Sequence, residues 1–138
     1  MNQRADFATI SNWISPNSQV LDLGCGDGSF LEFLQKQKPV HTYGVEIDDA
    51  RVLSCVQKGL NVIQQNLEGG LALFEDNSFD TIISDPPWKI GYYERMRPFF
   101  ECVRVCKIGG IIIYNATWIP ESSDVKLIES VIRQDNSF

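Results

Sequence analysis

The chain has 138 residues, of which 43% are hydrophobic and 22% are charged, and its formal net charge at pH 7 is −6. This composition is typical of a soluble globular protein, and we treat residues 1–138 as one domain. No apolar run approaches the ~20 residues of a membrane span and no basic leader opens the chain, so we expect a cytoplasmic protein without membrane contact. The acidic balance excludes nucleic-acid binding through the overall field of the protein.

Helices and strands are predicted to alternate along the chain. In chain order, the predicted elements are an opening helix containing Phe7, Ile10 and Ile14, a strand over 19–24, a helix over 29–37, a strand over 41–47, a helix over 48–59, a strand over 61–66, a strand over 79–85, a helix over 94–107, a glycine turn at Gly109–Gly110, a strand over 111–118 and a helix over 124–133. The strand over 111–118 is very apolar and is expected to be buried on both faces. The pattern predicts an α/β fold with a doubly wound, Rossmann-like parallel sheet, whose ligand sites lie outside the carboxyl ends of the strands.

The cysteines point to structural thiols. Cys25, Cys55, Cys102 and Cys106 form no Cys-x-x-Cys pair, and His41 is the lone histidine. We therefore expect reduced thiols and no metal site.

A glycine turn, GCGDG, follows the first predicted strand. It places Asp22, Gly24, Gly26 and Gly28 between that strand and the next helix, where glycine lets the backbone turn tightly and come close to a ligand. The Gly-x-Gly-x-Gly spacing differs from the dinucleotide fingerprint, so a phosphate is not required. Glu46, at the end of the second strand, can accept hydrogen bonds from both hydroxyls of a ribose. Together these features predict a nucleoside site.

The motifs DLGCGDG and GVEID resemble the first two motifs of class I S-adenosylmethionine-dependent methyltransferases. The resemblance implies S-adenosyl-L-methionine as the cofactor, with the glycine loop along its methionine part, the acid after the second strand at the ribose and the end of the third strand at the adenine. The residues implied at the cofactor are Asp22, Gly24, Cys25, Gly26, Gly28, Glu46, Ile47, Asn66, Leu67 and Asp85. The family commonly has Asp where this chain has Asn66, although an amide can still accept and donate hydrogen bonds.

The stretch SDPPW, residues 84–88, ends the fourth predicted strand. Adjacent prolines have a fixed φ and no backbone N–H, so they offer a rigid array of acceptors. The Asp85 carboxylate and the Pro86 carbonyl could accept the hydrogens of an exocyclic amine, and Trp88 could stack on the base. The stretch resembles the Asp-Pro-Pro-Trp motif of amino-methyltransferases that form N6-methyladenine in DNA or RNA, which implies catalytic roles for Asp85, Pro86, Pro87 and Trp88. A strand end and a packed tryptophan remain the alternative interpretation.

A nucleic-acid partner would need a local basic patch on this acidic chain. The candidates are Lys89, Arg95, Arg97, Arg104 and Lys107. A solvated helix face explains the same charges equally well.

The two halves of the chain resemble different families. Residues 4–84, with QVLDLGCGDGSFLEFL and NVIQQNLEGGL, resemble the methionine-biosynthesis family MetW, whereas residues 85–118 resemble the nucleobase amino-methyltransferases. This predicts a natural mosaic, a phage-like gene or an engineered hybrid, with a junction near residue 84. The MetW resemblance implies a second function, methyl transfer to a small metabolite or action in methionine biosynthesis. A third possible function is that of a module that binds the cofactor without catalysing a reaction.

The sheet of the class I methyltransferases has seven strands, of which five are recognised in this chain, and the closing hairpin is missing. An uncovered fifth strand would leave an apolar edge open to pairing. We therefore predict a homodimer or a partner subunit at that edge, or a truncated chain.

Overall fold

A computed structural model describes residues 3–67, 71–84 and 100–114. The elements are α1 (Gln3–Asn12), β1 (Gln19–Leu23), α2 (Ser29–Gln37), β2 (His41–Glu46), α3 (Asp49–Gln57), β3 (Val62–Gln64), β4 (Phe79–Ser84) and β5 (Cys106–Tyr114). Residues 100–105 are helical and lead directly into β5. Among the described residues, no helix has the length and hydrophobicity that crossing a membrane requires.

The strands form one parallel sheet in the order β3-β2-β1-β4-β5. After β3 the chain returns past β1 to begin β4 on its other side, so the order of the strands reverses between β1 and β4. In the register, Leu23 lies beside both Val45 and Ser84. The carboxyl ends of β1, β2 and β4 therefore meet at the switch point, where open α/β sheets bind their ligands. The predicted doubly wound α/β fold is confirmed.

Alternating side chains along the strands face two separate cores. On one face, α1, α2 and α3 cover the sheet, with Leu31, Leu34 and Cys55 fully buried. On the other face, the segment around Leu71 and the helical residues 100–105 pack against β1, β2 and β4. Because both faces are covered, most side chains of β1, β2 and β4 are buried, including the polar Thr42 and Thr81.

Most predicted boundaries agree with the structure to within two residues. The helix over 29–37 is exact, and the helix over 48–59 is Asp49–Gln57 with Asp48 as its N-cap, whose side chain accepts from Arg51 N. The third strand is shorter than its predicted span of 61–66. The predicted helix over 124–133 lies outside the described residues.

The prediction for β5 is wrong at its amino end. The helix predicted to Lys107 ends at 105, because Cys106 pairs with Phe79 of β4. The register then moves to Thr81 beside Ile111, so residues 107–110 bulge opposite Asp80. Gly109 has φ +83, and a Cβ on Gly110 would lie 2.8 Å from the carbonyl oxygen of Asp80. The glycine pair thus permits a bulge within the strand, where the sequence predicts a turn before it.

The expected burial on both faces of the strand over 111–118 is also wrong for residues 111–113, and the burial of the others lies outside the described residues. Ile111 is 43% exposed, and Ile112 and Ile113 are half-buried. Within the described part of the chain β5 is the outer strand of the sheet, and Ile112 and Ile113 pack only partly against the two cores. The partner at this edge stays a prediction.

Candidate nucleoside site

The glycine loop, residues 24–28, joins β1 to α2 at the switch point. The amides of Gly24 and Cys25 both donate to the Val45 carbonyl, at 2.8 and 3.0 Å, which ties the loop to the end of β2. The amide of Gly28 donates to the Cys25 carbonyl at 3.1 Å and closes a tight turn. Gly26 adopts φ +61, and a Cβ built there would have no atom within 4 Å. The loop therefore has an open side at Gly26.

Glu46 ends β2 beside this open side. Its carboxylate is held by three backbone amides: Oε1 accepts from Gly26 at 3.0 Å, and Oε2 accepts from Ile47 and Asp48 at 2.9 Å each. Glu46 is only 6% exposed. Charge-assisted bonds of this kind fix the side chain in one position. A carboxylate offers about four acceptor positions. The three amides occupy three of them, so about one position remains for a hydroxyl group of a ligand. The structure thus brings together Glu46 and the glycine loop, as the sequence predicts.

Asp22 and Cys25 are buried next to the loop. Burial first, and then the carboxylate of Asp22, raise the pKa of the Cys25 thiol far above its usual value. The thiol therefore stays neutral, and it contacts Cys55 with 3.8 Å between the two Sγ atoms. A Cβ on Gly44 would lie 2.6 Å from the Sγ of Cys25, so β2 leaves just enough room for this sulfur. The Cys25 side chain belongs to the core, and only its backbone belongs to the loop.

Ile47 follows Glu46 and is 57% exposed. Gln64, at the end of β3, donates to the carbonyl of Ile47 at 3.0 Å and to the side chain of Asp49, which holds the chain beyond β2 in place. A large exposed apolar side chain beside a buried carboxylate gives the site a surface against which a flat base can pack.

Asn66 and Leu67 follow β3 at the same edge of the sheet. The amide of Gln65 donates to the Glu46 carbonyl at 3.1 Å, which keeps this segment next to β2. Asn66 is exposed, whereas Leu67 is partly buried against the second core. Contact of either residue with an adenine stays a prediction.

Asp27 was not predicted as a site residue. Its Oδ1 accepts from the amide of Ser29 at 2.9 Å and from the hydroxyl of Ser29 at 2.6 Å, and these bonds lower the pKa of the Asp27 carboxyl. A carboxylate therefore lies at the amino end of α2, the position where dinucleotide-binding proteins hold a pyrophosphate. An Asp side chain often accepts from the backbone amide two residues further along the chain. The sequence Asp27-Gly28-Ser29 could therefore have indicated this carboxylate at the start of the helix. A phosphate placed here would meet a negative charge.

The predicted acceptor residues Asp85, Pro86, Pro87 and Trp88 lie outside the described residues. Ser84, the last described residue of β4, pairs with Leu23. The carboxyl end of β4 therefore lies next to that of β1, from which the glycine loop departs.

Two residues of the predicted basic patch, Arg104 and Lys107, pair with acidic side chains away from the glycine loop. Arg104 donates to Glu101, to Asp76 and to the carbonyls of Phe74 and Leu71, and it closes the segment before β4 against the helical residues 100–105. Lys107 lies 3.4 Å from the Asp80 carboxylate. Arg104 and Lys107 therefore lie near the amino ends of β4 and β5. Glu46 lies at the carboxyl end of β2, on the opposite side of the sheet along the strand direction. Lys89, Arg95 and Arg97 lie outside the described residues.

The chain matches one protein family by sequence. The family model for methionine biosynthesis protein MetW matches residues 4–90. A relative, the bifunctional methionine biosynthesis protein MetXA/MetW of Rhodopirellula baltica, is 35% identical over 86 residues, which cover 56% of this chain and 14% of the relative. The chain thus spans about a seventh of that protein.

Solved structures share the fold. A TehB-like SAM-dependent methyltransferase from Corynebacterium glutamicum superposes with a TM-score of 0.74 at 18% identity, covering 91% of this chain and 71% of that one. SAM-bound CalS10, an amino pentose methyltransferase from Micromonospora echinaspora, superposes with a TM-score of 0.70 at 19% identity, covering 84% of this chain and 51% of that one. From its sequence match and this likeness, the chain belongs to the MetW family and has the fold of the class I SAM-dependent methyltransferases.

Proposed function

We propose that this chain is an S-adenosyl-L-methionine-dependent methyltransferase whose cofactor binds at the glycine loop and Glu46. One observation carries the proposal: the Glu46 carboxylate, 3.0 Å from the amide of Gly26, is already fixed beside an open backbone loop at the switch point of the sheet. Asp27 at the start of α2 supports a cofactor without phosphate groups.

The residues of the site have distinct roles in this proposal. Glu46 accepts a hydrogen bond from a ribose hydroxyl, Ile47 packs against the adenine, and Gly26 leaves space for the cofactor because it has no side chain. Bound S-adenosyl-L-methionine supplies an electrophilic methyl group to a nucleophile of the acceptor. Beyond binding, the protein's contribution is to align the two reactants, which accounts for much of the acceleration in such displacements.

Binding is tested by titrating S-adenosylhomocysteine into wild type, Gly26→Ala and Gly59→Ala. Both glycines have a positive φ, +61 and +74, and neither position has an atom within 4 Å of a built Cβ, so each variant has a similar backbone cost of about 1 kcal/mol. We expect Gly26→Ala to lose about tenfold or more in affinity, because its methyl group enters the cofactor space. Gly59→Ala, at the end of α3, is expected to bind like wild type. Equal affinities in the two variants would contradict a cofactor at Gly26.

Two acceptors have support. Membership of the MetW family, and a relative whose name describes a methionine biosynthesis protein, support a small metabolite in methionine biosynthesis. The Asp-Pro-Pro-Trp stretch, which directly follows Ser84 at the switch point, supports an exocyclic amine such as adenine N6. The family match continues to residue 90 and so spans this stretch.

Transfer of a labelled methyl group separates these acceptors. The chain is incubated with labelled cofactor and adenine-containing DNA or RNA, or with small thiol and amine metabolites. Label on nucleic acid that disappears in Asp85→Ala, with S-adenosylhomocysteine binding retained, selects the nucleobase. Label on a metabolite alone selects the MetW-like role, and transfer that needs an added partner subunit selects a cofactor-binding module.

A further inference from the structure

Three side chains from α3 and its end reach across to the glycine loop. The hydroxyl of Ser54 and the ammonium group of Lys58 both donate to the carbonyl oxygen of Asp27, at 3.2 and 2.8 Å. The thiol of Cys55 donates to the carbonyl oxygen of Gly26 at 3.3 Å. Burial raises the pKa of Cys55, so its thiol keeps the proton that it donates. Two consecutive loop carbonyls are thus bound by one helix.

Packing holds the loop against the same surface. A Cβ on Gly28 would lie 2.4 Å from the Cδ1 of Leu60 and 3.0 Å from the Sγ of Cys55. Cys55 is fully buried between the loop and the sheet. The loop therefore has little freedom to move towards α3, and the three donors oppose its movement away.

Gly26 connects this surface to the nucleoside site. Its carbonyl accepts from Cys55 of α3, while its amide donates to Oε1 of Glu46. A rotation of the loop that released the carbonyls would also withdraw the amide from the carboxylate. One of the three hydrogen bonds that hold the Glu46 carboxylate thus depends on contacts made on the far side of the loop.

We propose that Ser54, Cys55 and Lys58 are positioning residues for the cofactor, because they hold the loop where Gly26 fixes the Glu46 carboxylate. The inference rests on the proposed function, since it assigns these residues to the same pocket. None of them needs to touch the cofactor.

The test compares two double variants. Ser54→Ala with Lys58→Met removes both donors to Asp27. The control, Ser78→Ala with Lys107→Met, removes a similar serine bond, to the Glu75 carbonyl at 2.7 Å, and a lysine beside Asp80 at the opposite edge of the sheet. We expect the first pair to bind S-adenosylhomocysteine about tenfold more weakly than wild type, the loss that two ordinary hydrogen bonds would produce. The control pair should keep wild-type affinity at a similar melting temperature. Equal affinities would overturn the proposal.

A measurement without ligand distinguishes this proposal from the proposed function. Exchange of the Gly26 amide hydrogen, followed by NMR, should be faster in Cys55→Ala and in the Ser54/Lys58 pair, and Cys55→Ser should restore part of the protection because it keeps a donor. Unchanged exchange at Gly26 would refute the positioning role. Failure of wild type to bind S-adenosylhomocysteine, with faster exchange in the variants, would instead reject the cofactor and keep the link between α3 and Glu46.

Discussion

Glu46→Gln is expected to weaken binding of S-adenosylhomocysteine at least ~100-fold, which corresponds to about 2.7 kcal/mol. The carboxylate accepts from the amide of Gly26 on one oxygen and from the amides of Ile47 and Asp48 on the other. A glutamine has one acceptor oxygen and one NH₂ group, so in either orientation its NH₂ faces backbone donors. Each unsatisfied buried donor costs about 1–3 kcal/mol. The side chain would therefore leave the position from which, in the proposed function, it accepts from a ribose hydroxyl.

The measurement is calorimetric titration below the melting transition of the variant, with thermal unfolding followed separately. We expect the melting temperature to fall as well, since Glu46 also holds the start of the connection to α3. Glu75→Gln is a suitable control, because Glu75 is exposed and lies near the amino end of β4, away from the site. Wild-type affinity in Glu46→Gln would mean that the carboxylate does not contact the ligand, whatever the change in stability.

The glycine loop and Glu46 could be predicted from the sequence because both depend on local signals. A buried strand followed by closely spaced glycines identifies a loop at the end of a strand, and an acid that ends the next strand must lie at the same edge of a parallel sheet. Because β1 and β2 are neighbours, Gly26 and Glu46 lie close together, although their hydrogen bond itself was not predicted.

The support for the loop could not be predicted in the same way. Ser54 and Lys58 lie on a helix whose polar side chains would ordinarily be assigned to a solvated face. Their contacts with Asp27 depend on how α3 docks beside the loop, which is determined by Cys55 and Leu60 in the core. Such donors to backbone carbonyls leave no spacing pattern in a sequence.

The amino end of β5 was mispredicted for a related reason. The apolar residues before Gly109 fit a helical period, and the glycine pair is typical of a turn. Pairing of Cys106 with Phe79 joins residues that are distant in sequence, and it extends the strand through the glycines as a bulge. The local sequence favours a helix followed by a turn, but pairing with β4 makes residues 106–110 part of the strand.

Gly28→Ala is expected to destabilise the fold by about 3 kcal/mol or more, the largest effect on stability that we predict. Gly28 is the N-cap of α2 with φ +85, and the added methyl group would lie 2.4 Å from Leu60 Cδ1 and 3.0 Å from Cys55 Sγ. The backbone strain alone costs about 1 kcal/mol. Gly59→Ala measures that part, because Gly59 has φ +74 and open space around a built Cβ.

Urea unfolding of the two variants isolates the steric contribution as the difference between them. The double variant Gly28→Ala with Leu60→Ala extends the test, since removal of the Leu60 side chain makes room for the new methyl group. We expect the double variant to lose less stability than the sum of its single changes, as contacting residues do. If Gly28→Ala instead lost no more than Gly59→Ala, the Leu60 side chain would have moved aside at little cost, and its packing against the loop would contribute little to stability. The hydrogen bonds from Ser54, Cys55 and Lys58 would then be the contacts that hold the loop beside α3.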